Sequence, residues 1–174
     1  MPVKLQGAVA LRKALAAIEP TLAKETSKEI ASFLKPVVKQ ARGYMPSNDQ
    51  IMSGWLVGNQ KGKWERAAYD VAIARKGITY KSTPSRVNRN GFSALASIFN
   101  KSAAGAIYET AGRKSGLTGR FSPHLGGEIK GDKQKMEGRN IFRAFEEDRG
   151  KAQDGVVKAI FKAKDKFDSM KDKV

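Results

Sequence analysis

The chain of 174 residues has the length of one domain, and its 40% hydrophobic and 29% charged residues match an ordinary soluble protein, which argues against wholesale disorder. It has no cysteine and no run of 18 apolar residues, so we expect no disulfide, no thiolate metal site and no membrane-spanning helix. Lys and Arg outnumber Asp and Glu by 33 to 17, and the net charge of +16 favours nucleic acid or acidic protein surfaces as neighbours, or else serves only solubility.

The N-terminal part of the chain is predicted to be helical. Over residues 9–18 the apolar positions recur at steps of three or four for the most part. Pro20 suits the first turn of a second, long helix, in which apolar residues again recur at helical spacing. Pro36 is expected to kink that helix, because it removes one backbone hydrogen bond, and Gly43 and Pro46 are expected to end it.

A loop and a small sheet are predicted next. Residues 47–68 are irregular, and we expect an ordered loop held by Trp55 and Trp64, whose indoles bury large areas. Residues 71–73 and 78–80 alternate between apolar and polar side chains. This pattern predicts two strands of a hairpin, or one strand with a bulge at the Lys-Gly step between them.

Turn signals and a short helix follow. Residues 84–91 are rich in Pro, Asn, Gly and Arg and predict a basic loop. Residues 92–100 form too short an apolar run to distinguish a strand from a helical turn. Asn100 and Ser102 are good N-cap residues, and we expect a short helix that Gly112 closes.

The last third of the chain divides into an arm and a helix. Residues 112–140 hold the densest positive charge and many glycines, which is typical of a binding loop or a flexible arm. Beyond it we predict one C-terminal helix, with an apolar face made of Val156, Val157, Ile160, Phe161 and Phe167 and the stem of Lys164. The order of elements predicts a single α+β domain over residues 1–174.

The residues show no catalytic centre. His124 is the only histidine and lies in the arm, and no metal-ligand or phosphate-loop spacing occurs. Glu109 is the one carboxylate with a conceivable acid or base role, but an ion pair with Arg113 is the favoured interpretation. The run Glu146–Asp148 is interpreted as lying near a helix start, where it stabilises the dipole. We therefore predict a protein that is not an enzyme and that uses no cofactor or metal.

Positive side chains concentrate in loops and not along one helix face, so neither a recognition helix nor an aromatic RNA-binding sheet is indicated. They suit nonspecific contact with phosphates or with an acidic surface, if they do more than solvate the protein. These candidates are Arg75, Lys76, Arg86, Arg89, Lys114, Arg120, Lys130, Lys133, Lys135 and Arg139.

Several segments of the chain carry a family resemblance. In order they are LRKALAAIEPTLAKETSKEIASFLKPVVKQARGYMP, SGW, Trp64 with Arg66, RKGITYKS, IFNKSAAGAIYETAGR and the closing NIFRAF. The most telling are ARKGI at 74–78 and AIYETAGR at 106–113. This order, over most of the chain, resembles the tail-completion or head–tail joining (neck) proteins of long-tailed bacteriophages.

The resemblance implies a structural virion protein at the phage neck, where the DNA-filled head meets the tail. Such proteins form rings, often sixfold, between a connector or stopper and the tail terminator or tail tube. Candidate assembly contacts are Glu109, Gly112, Arg113, Trp55 and Trp64, and the basic arm would lie near packaged DNA or an acidic neighbour.

Other roles also fit the same residues, and the N-terminus gives an expectation for the place of synthesis. The alternatives are a tail terminator or minor tail protein, or a nonspecific nucleic-acid-binding protein. Arg12 and Lys13 interrupt the apolar N-terminus, so no secretion signal is predicted and synthesis in the host cytoplasm is expected.

Overall fold

The computed structural model describes residues 7–49, 69–111 and 138–171. Within these ranges the fold is α+β, as predicted, with six helices and one antiparallel two-stranded sheet. The helices are α1 (Ala8–Ile18), α2 (Pro20–Gly43), α3 (Val71–Gly77), α4 (Ala103–Thr110), α5 (Ile141–Glu147) and α6 (Lys151–Lys171). The strands are β1 (Ile78–Lys81) and β2 (Ser97–Asn100).

The two N-terminal helices confirm the sequence prediction. α1 ends at Ile18, and Pro20 occupies the first position of α2, where its missing N–H costs nothing. α2 continues through Pro36 and ends at Gly43. The kink at Pro36 stays a prediction.

The strand predicted at residues 71–73 is wrong, because these residues begin α3. Asp70 supplies the N-cap, and its Oδ1 accepts a hydrogen bond from the N–H of Ile73 at 2.9 Å. Asn48 Oδ1 accepts from the N–H of Val71 at 2.9 Å, so a second side chain satisfies the helix start. Ile73 is 63% exposed, which shows that the alternation did not mark a buried face. The strand predicted at residues 78–80 is confirmed as β1.

The segment around residues 92–110 follows the local signals. The ambiguous run 92–100 contains β2, so the strand alternative is the correct one. α4 begins after Ser102, whose Oγ accepts from the N–H of Gly105 at 2.9 Å, as predicted for an N-cap. Residues 84–91 form the predicted loop between the strands.

The single C-terminal helix predicted from the sequence is two helices. A turn separates α5 from α6, with positive φ angles of 52° at Arg149 and 82° at Gly150. Left-handed residues end a helix, and glycine adopts this conformation without steric cost. The acidic run Glu146–Asp148 therefore lies at the end of α5, and its assignment to a helix start is wrong.

The buried face of α6 also differs from the predicted one. Phe161 is 51% exposed, and the side chain of Lys164 is 56% exposed and pairs with Asp168 at 3.2 Å. The buried positions are mostly small residues, namely Ala152, Gly155, Ala159, Ile160 and Ala163. Small side chains allow close helix packing, which a search for large apolar residues overlooks.

The chain divides into two compact units, and the division falls within α2 after Pro36. Unit 1 comprises residues up to 36, residues 80–97 and residues from 150 onward, and unit 2 comprises residues 37–79 and 98–149. The single-domain organisation stays a prediction.

Unit 1 is held by packing between its helices. Leu15, Leu22 and Ala163 form a buried cluster. The ring of Phe33 packs directly on Gly155, at a place where an added Cβ would overlap the ring. Exposed ion pairs join the same helices, from Lys162 to Glu29 at 2.9 Å and from Lys166 to Glu25 at 3.2 Å. Such exposed pairs contribute little, so the apolar contacts hold this unit together.

We predict that Gly155→Ala destabilises the protein by about 1–3 kcal/mol, because its methyl group must displace the Phe33 ring in a packed interface. The melting temperature should fall by about 2–4 °C for each kcal/mol lost. Thermal unfolding followed by circular dichroism measures this effect. Gly43→Ala is the matched control, since a Cβ there meets nothing within 4 Å, and equal melting temperatures for the two variants would contradict the prediction.

Candidate functional site

Glu109 holds the start of α5 although it belongs to α4. Its side chain is buried, with the residue 5% exposed. Oε2 accepts from the N–H of Asn140 at 2.8 Å, and Oε1 accepts from the N–H groups of Ile141 and Phe142 at 3.0 and 3.1 Å. The first N–H groups of a helix lack partners within the helix, and a carboxylate both satisfies them and matches the helix dipole.

Arg139 holds the end of α4 in return. Its Nη1 donates to the carbonyl oxygens of Tyr108 at 3.0 Å and Ala111 at 2.5 Å. The guanidinium also lies 5.5 Å from the centroid of the Tyr108 ring. Arg139 is 5% exposed, and burial lowers its pKa. The prediction that Arg139 faces DNA or an acidic surface is therefore wrong, because its charge is used on the last carbonyls of α4.

We call Glu109, Arg139 and the two helix ends that they cap the junction. It joins the described residues on either side of residues 112–137. Gly138 belongs to it for reasons of space, since an added Cβ would overlap Glu109 Oε1 and the Phe142 ring. Asn140 is fully buried and donates from Nδ2 to Met45 Sδ at 3.3 Å, while its Oδ1 finds no hydrogen-bond partner among the described residues.

The junction decides what Glu109 does chemically. Both of its carboxylate oxygens accept backbone N–H groups, so the carboxylate is taken up by the fold. The ion pair predicted with Arg113 lies outside the described residues. A part for Glu109 in assembly stays a prediction. Glu109 would act by fixing the start of α5, which follows residues 112–137 in the sequence.

The other predicted site residues fall into two groups. Arg75, Lys76, Arg86 and Arg89 are exposed, and Arg75 also donates to the carbonyl of Met45 at 3.0 Å. The remaining ones lie outside the described residues; they are Trp55, Trp64, Gly112, Arg113, Lys114, Arg120, His124, Lys130, Lys133 and Lys135.

Arg86 and Arg89 lie on a loop with a defined shape. Asn88 Oδ1 accepts from the N–H groups of Asn90 and Phe92, both at 2.9 Å, and the N–H of Asn88 donates to the carbonyl of Phe92 at 2.8 Å. These bonds hold the loop tip while Phe92 stays 52% exposed. The loop therefore carries two exposed arginines and an exposed apolar ring.

A polar cluster in unit 2 was not predicted. Glu147 Oε2 accepts from the hydroxyl of Tyr44 and, at 2.7 Å, from Gln40 Nε2, while Oε1 accepts from Arg143 Nε at 2.9 Å. These bonds, first that of Tyr44 and then that of Arg143, lower the pKa of Glu147. Only the spacing of Arg143 and Glu147 could have been read from the sequence, because the other partners come from α2 and the residue that follows it.

Unit 1 contains a basic cleft, which was also not predicted. We define it as the groove of about 650 Å³ between α1, α2 and residues 83–84. Arg12 lies in it with only 6% exposure and donates to Ser82 O and Ser27 Oγ, both at 2.6 Å. Burial lowers the pKa of Arg12. Lys13, Lys24 and Lys28 also line the basic cleft, and its apolar lining is formed by Ala16, Pro20, Ala23 and Pro84.

We predict that Glu109→Gln destabilises the protein by about 1–3 kcal/mol, because the amide presents an NH2 group to backbone N–H donors. Chemical denaturation in urea measures the change. Asp165→Asn, at an exposed position of α6, is the control and should change the free energy of unfolding by less than about 0.5 kcal/mol. Equal transition midpoints for both variants would refute the capping role of Glu109.

We predict that the pKa of Glu147 lies below the ordinary glutamate value of 4.5 and rises towards it in Tyr44→Phe. A carboxylate with a lowered pKa in the folded state stabilises the fold above its unfolded pKa, and this contribution disappears as the pH falls through the folded pKa. Carboxyl ¹³C NMR titration measures both pKa values. Tyr80→Phe, in β1, serves as the control, and an unchanged titration of Glu147 in Tyr44→Phe would rule out the tyrosine as the cause.

Two other kinds of site are absent from the described ranges. No group of three or more His, Asp or Glu side chains there is placed to hold a metal ion. In the same ranges, no helix has both the length and the apolar character that crossing a bilayer requires. Comparison of the chain with known protein families, characterised proteins and solved structures finds no match.

Proposed function

We propose that the chain is a structural virion protein that forms a ring at the neck of a long-tailed bacteriophage and joins the DNA-filled head to the tail. The observation that carries this proposal is the ordered set of family-like segments, above all ARKGI at 74–78 and AIYETAGR at 106–113. The first spans the end of α3 and the start of β1, and the second contains most of α4.

The contact between RKGITYKS with the preceding Ala74 and the longer segment IFNKSAAGAIYETAGR supports the proposal. α3 packs against α4 in unit 2. The carbonyl of Gly77 accepts from the N–H of Lys101 at 2.9 Å, and Asn100 Nδ2 donates to the carbonyl of Ala74 at 3.3 Å. A Cβ at Gly77 would crowd the backbone of Ser102 at 2.9 Å. The residues that carry the resemblance thus pack against one another in unit 2.

Exposed apolar side chains give further support. In a chain with a net charge of +16, self-association requires apolar burial that exceeds charge repulsion. Ile18, Ile73, Phe92 and Phe161 are each more than half exposed. These side chains offer area for contacts with other subunits in a ring of sixfold symmetry, and with the connector or stopper and the tail terminator or tail tube above and below it.

The junction suits a protein that works through an inserted segment. It fixes both flanks of residues 112–137 with buried, charge-assisted hydrogen bonds. The positive charge of that segment fits an acidic neighbour or packaged DNA. In this proposal the body of the subunit carries the ring, and the basic segment meets a neighbour.

A nonspecific nucleic-acid-binding protein is the second candidate, and the loop with Arg86, Arg89 and Phe92 favours it. Arginines beside an exposed ring can contact phosphates and stack on bases. A terminator or minor tail protein remains an alternative of the same structural class.

We predict that the purified full-length chain forms closed rings, of six copies in the favoured case, and that it is present in mature particles of the phage that encodes it. Native mass spectrometry and negative-stain electron microscopy measure ring order, and immunogold labelling locates the protein at the neck. A DNA-binding protein would instead stay small and bind duplex DNA with an affinity that falls steeply with salt. Absence of the protein from mature wild-type particles would contradict the proposal.

A further inference from the structure

The basic cleft of unit 1 combines charge and apolar surface that the described residues leave unused. Arg12 is bonded only to two neutral oxygen atoms, and no carboxylate among the described residues pairs with it. Lys13, Lys24 and Lys28 are exposed and form no ion pair within those ranges. These exposed lysines carry positive charge that no described residue balances, so an acidic occupant would complement the cleft.

The lining of the cleft narrows the class of occupant. Ala16, Pro20, Ala23 and Pro84 form an apolar surface between the cations. A nucleic-acid backbone supplies phosphates and sugars, which satisfy the cations but have little use for such a surface. An acidic peptide segment with one apolar side chain satisfies both.

The chain itself carries a segment of this kind at the end of α5. Glu146, Glu147 and Asp148 are the only run of adjacent acidic residues in the sequence. Phe145, directly before them, is 41% exposed. Glu146 is exposed and forms no side-chain hydrogen bond or ion pair among the described residues. An acidic residue at a helix C-terminus opposes the dipole, so the stability of α5 does not account for Glu146.

We propose that the basic cleft of one subunit receives the end of α5 of a second copy, with Phe145 on the apolar lining and Glu146 facing Lys24 and Lys28. This inference rests on the proposed function, since it names the contact by which the ring is built. The two surfaces differ, so the contact is heterologous, and repetition of a heterologous contact builds a closed ring when the rotation between neighbouring subunits divides a full turn. Opposite charges in the contact also lower the repulsion between strongly basic subunits.

A charge exchange between two variants tests this contact. The first, Lys24→Glu with Lys28→Glu, makes the cleft acidic, and the second, Glu146→Lys, makes the end of α5 basic. Each variant alone confronts like charges, and we expect its association constant to fall by about 10- to 100-fold. An equimolar mixture restores opposite charges at every contact when the two variants alternate around the ring. We therefore expect the mixture to regain mass towards the wild-type value in native mass spectrometry and light scattering.

The control is Lys35→Glu with Lys158→Glu, which changes the net charge of the chain as much as the cleft variant does, at exposed lysines outside the cleft, and should assemble as wild type. Variants that assemble normally alone, or a mixture that stays dissociated, would overturn the contact, while wild-type rings would still support the proposed function. A wild-type chain that remains a monomer would remove the ring and this contact together. If the cleft variant keeps its mass but loses affinity for a labelled duplex oligonucleotide, the cleft is a phosphate site and the inference is wrong.

Discussion

The reciprocal capping of α4 and α5 is the interaction on which unit 2 depends. A carboxylate from α4 satisfies the first N–H groups of α5, and a guanidinium from the residues before α5 satisfies the last carbonyls of α4. Both side chains are buried, so the loss of either partner would leave unpaired polar groups away from water. The polar caps thus fix two helix ends that are separated by a long stretch of chain.

The residues around Glu109 and Arg139 hold these two side chains in place. Gly138 leaves room for the Glu109 carboxylate, and Tyr108 lies against the Arg139 guanidinium. The rings of Tyr69 and Tyr108 lie 6.4 Å apart in a tilted arrangement, and the Tyr69 hydroxyl donates to the carbonyl of Pro46 at 2.7 Å. Apolar packing and buried hydrogen bonds therefore occur at the same place, and the packed rings restrict the positions that the hydrogen-bonded side chains can take.

The elements that the sequence predicts correctly are those whose signals are local in the sequence. α2 and α4 carry their signals locally, in Pro20, in Ser102 and in regular apolar spacing, and these predictions are confirmed. α3 was missed because an alternating pattern coincides with a helix that Asp70 and Asn48 start, and Asn48 is remote in sequence. The break in the C-terminal helix depends on Arg149 taking a left-handed conformation, which no pattern of apolar residues reveals.

The candidate site was predictable only in part, for the same reason. Glu109 was singled out as the one carboxylate with a conceivable acid or base role, yet its backbone partners lie beyond residues 112–137 in the sequence and could not be read from spacing. Arg139 was grouped with surface cations because burial of an arginine depends on acceptors that the fold supplies. The basic cleft brings together α1, α2 and the segment after β1, so its charges look scattered along the sequence.

The two helix ends that are capped at the junction have a consequence for evolution and for engineering. Glu109 and Arg139 fix these helix ends from outside residues 112–137. A peptide exchanged between residues 112 and 137 would therefore leave both caps in the sequence. A subunit of this kind can acquire a new binding partner by exchanging this one stretch, because the residues that fix the ends of α4 and α5 lie outside it.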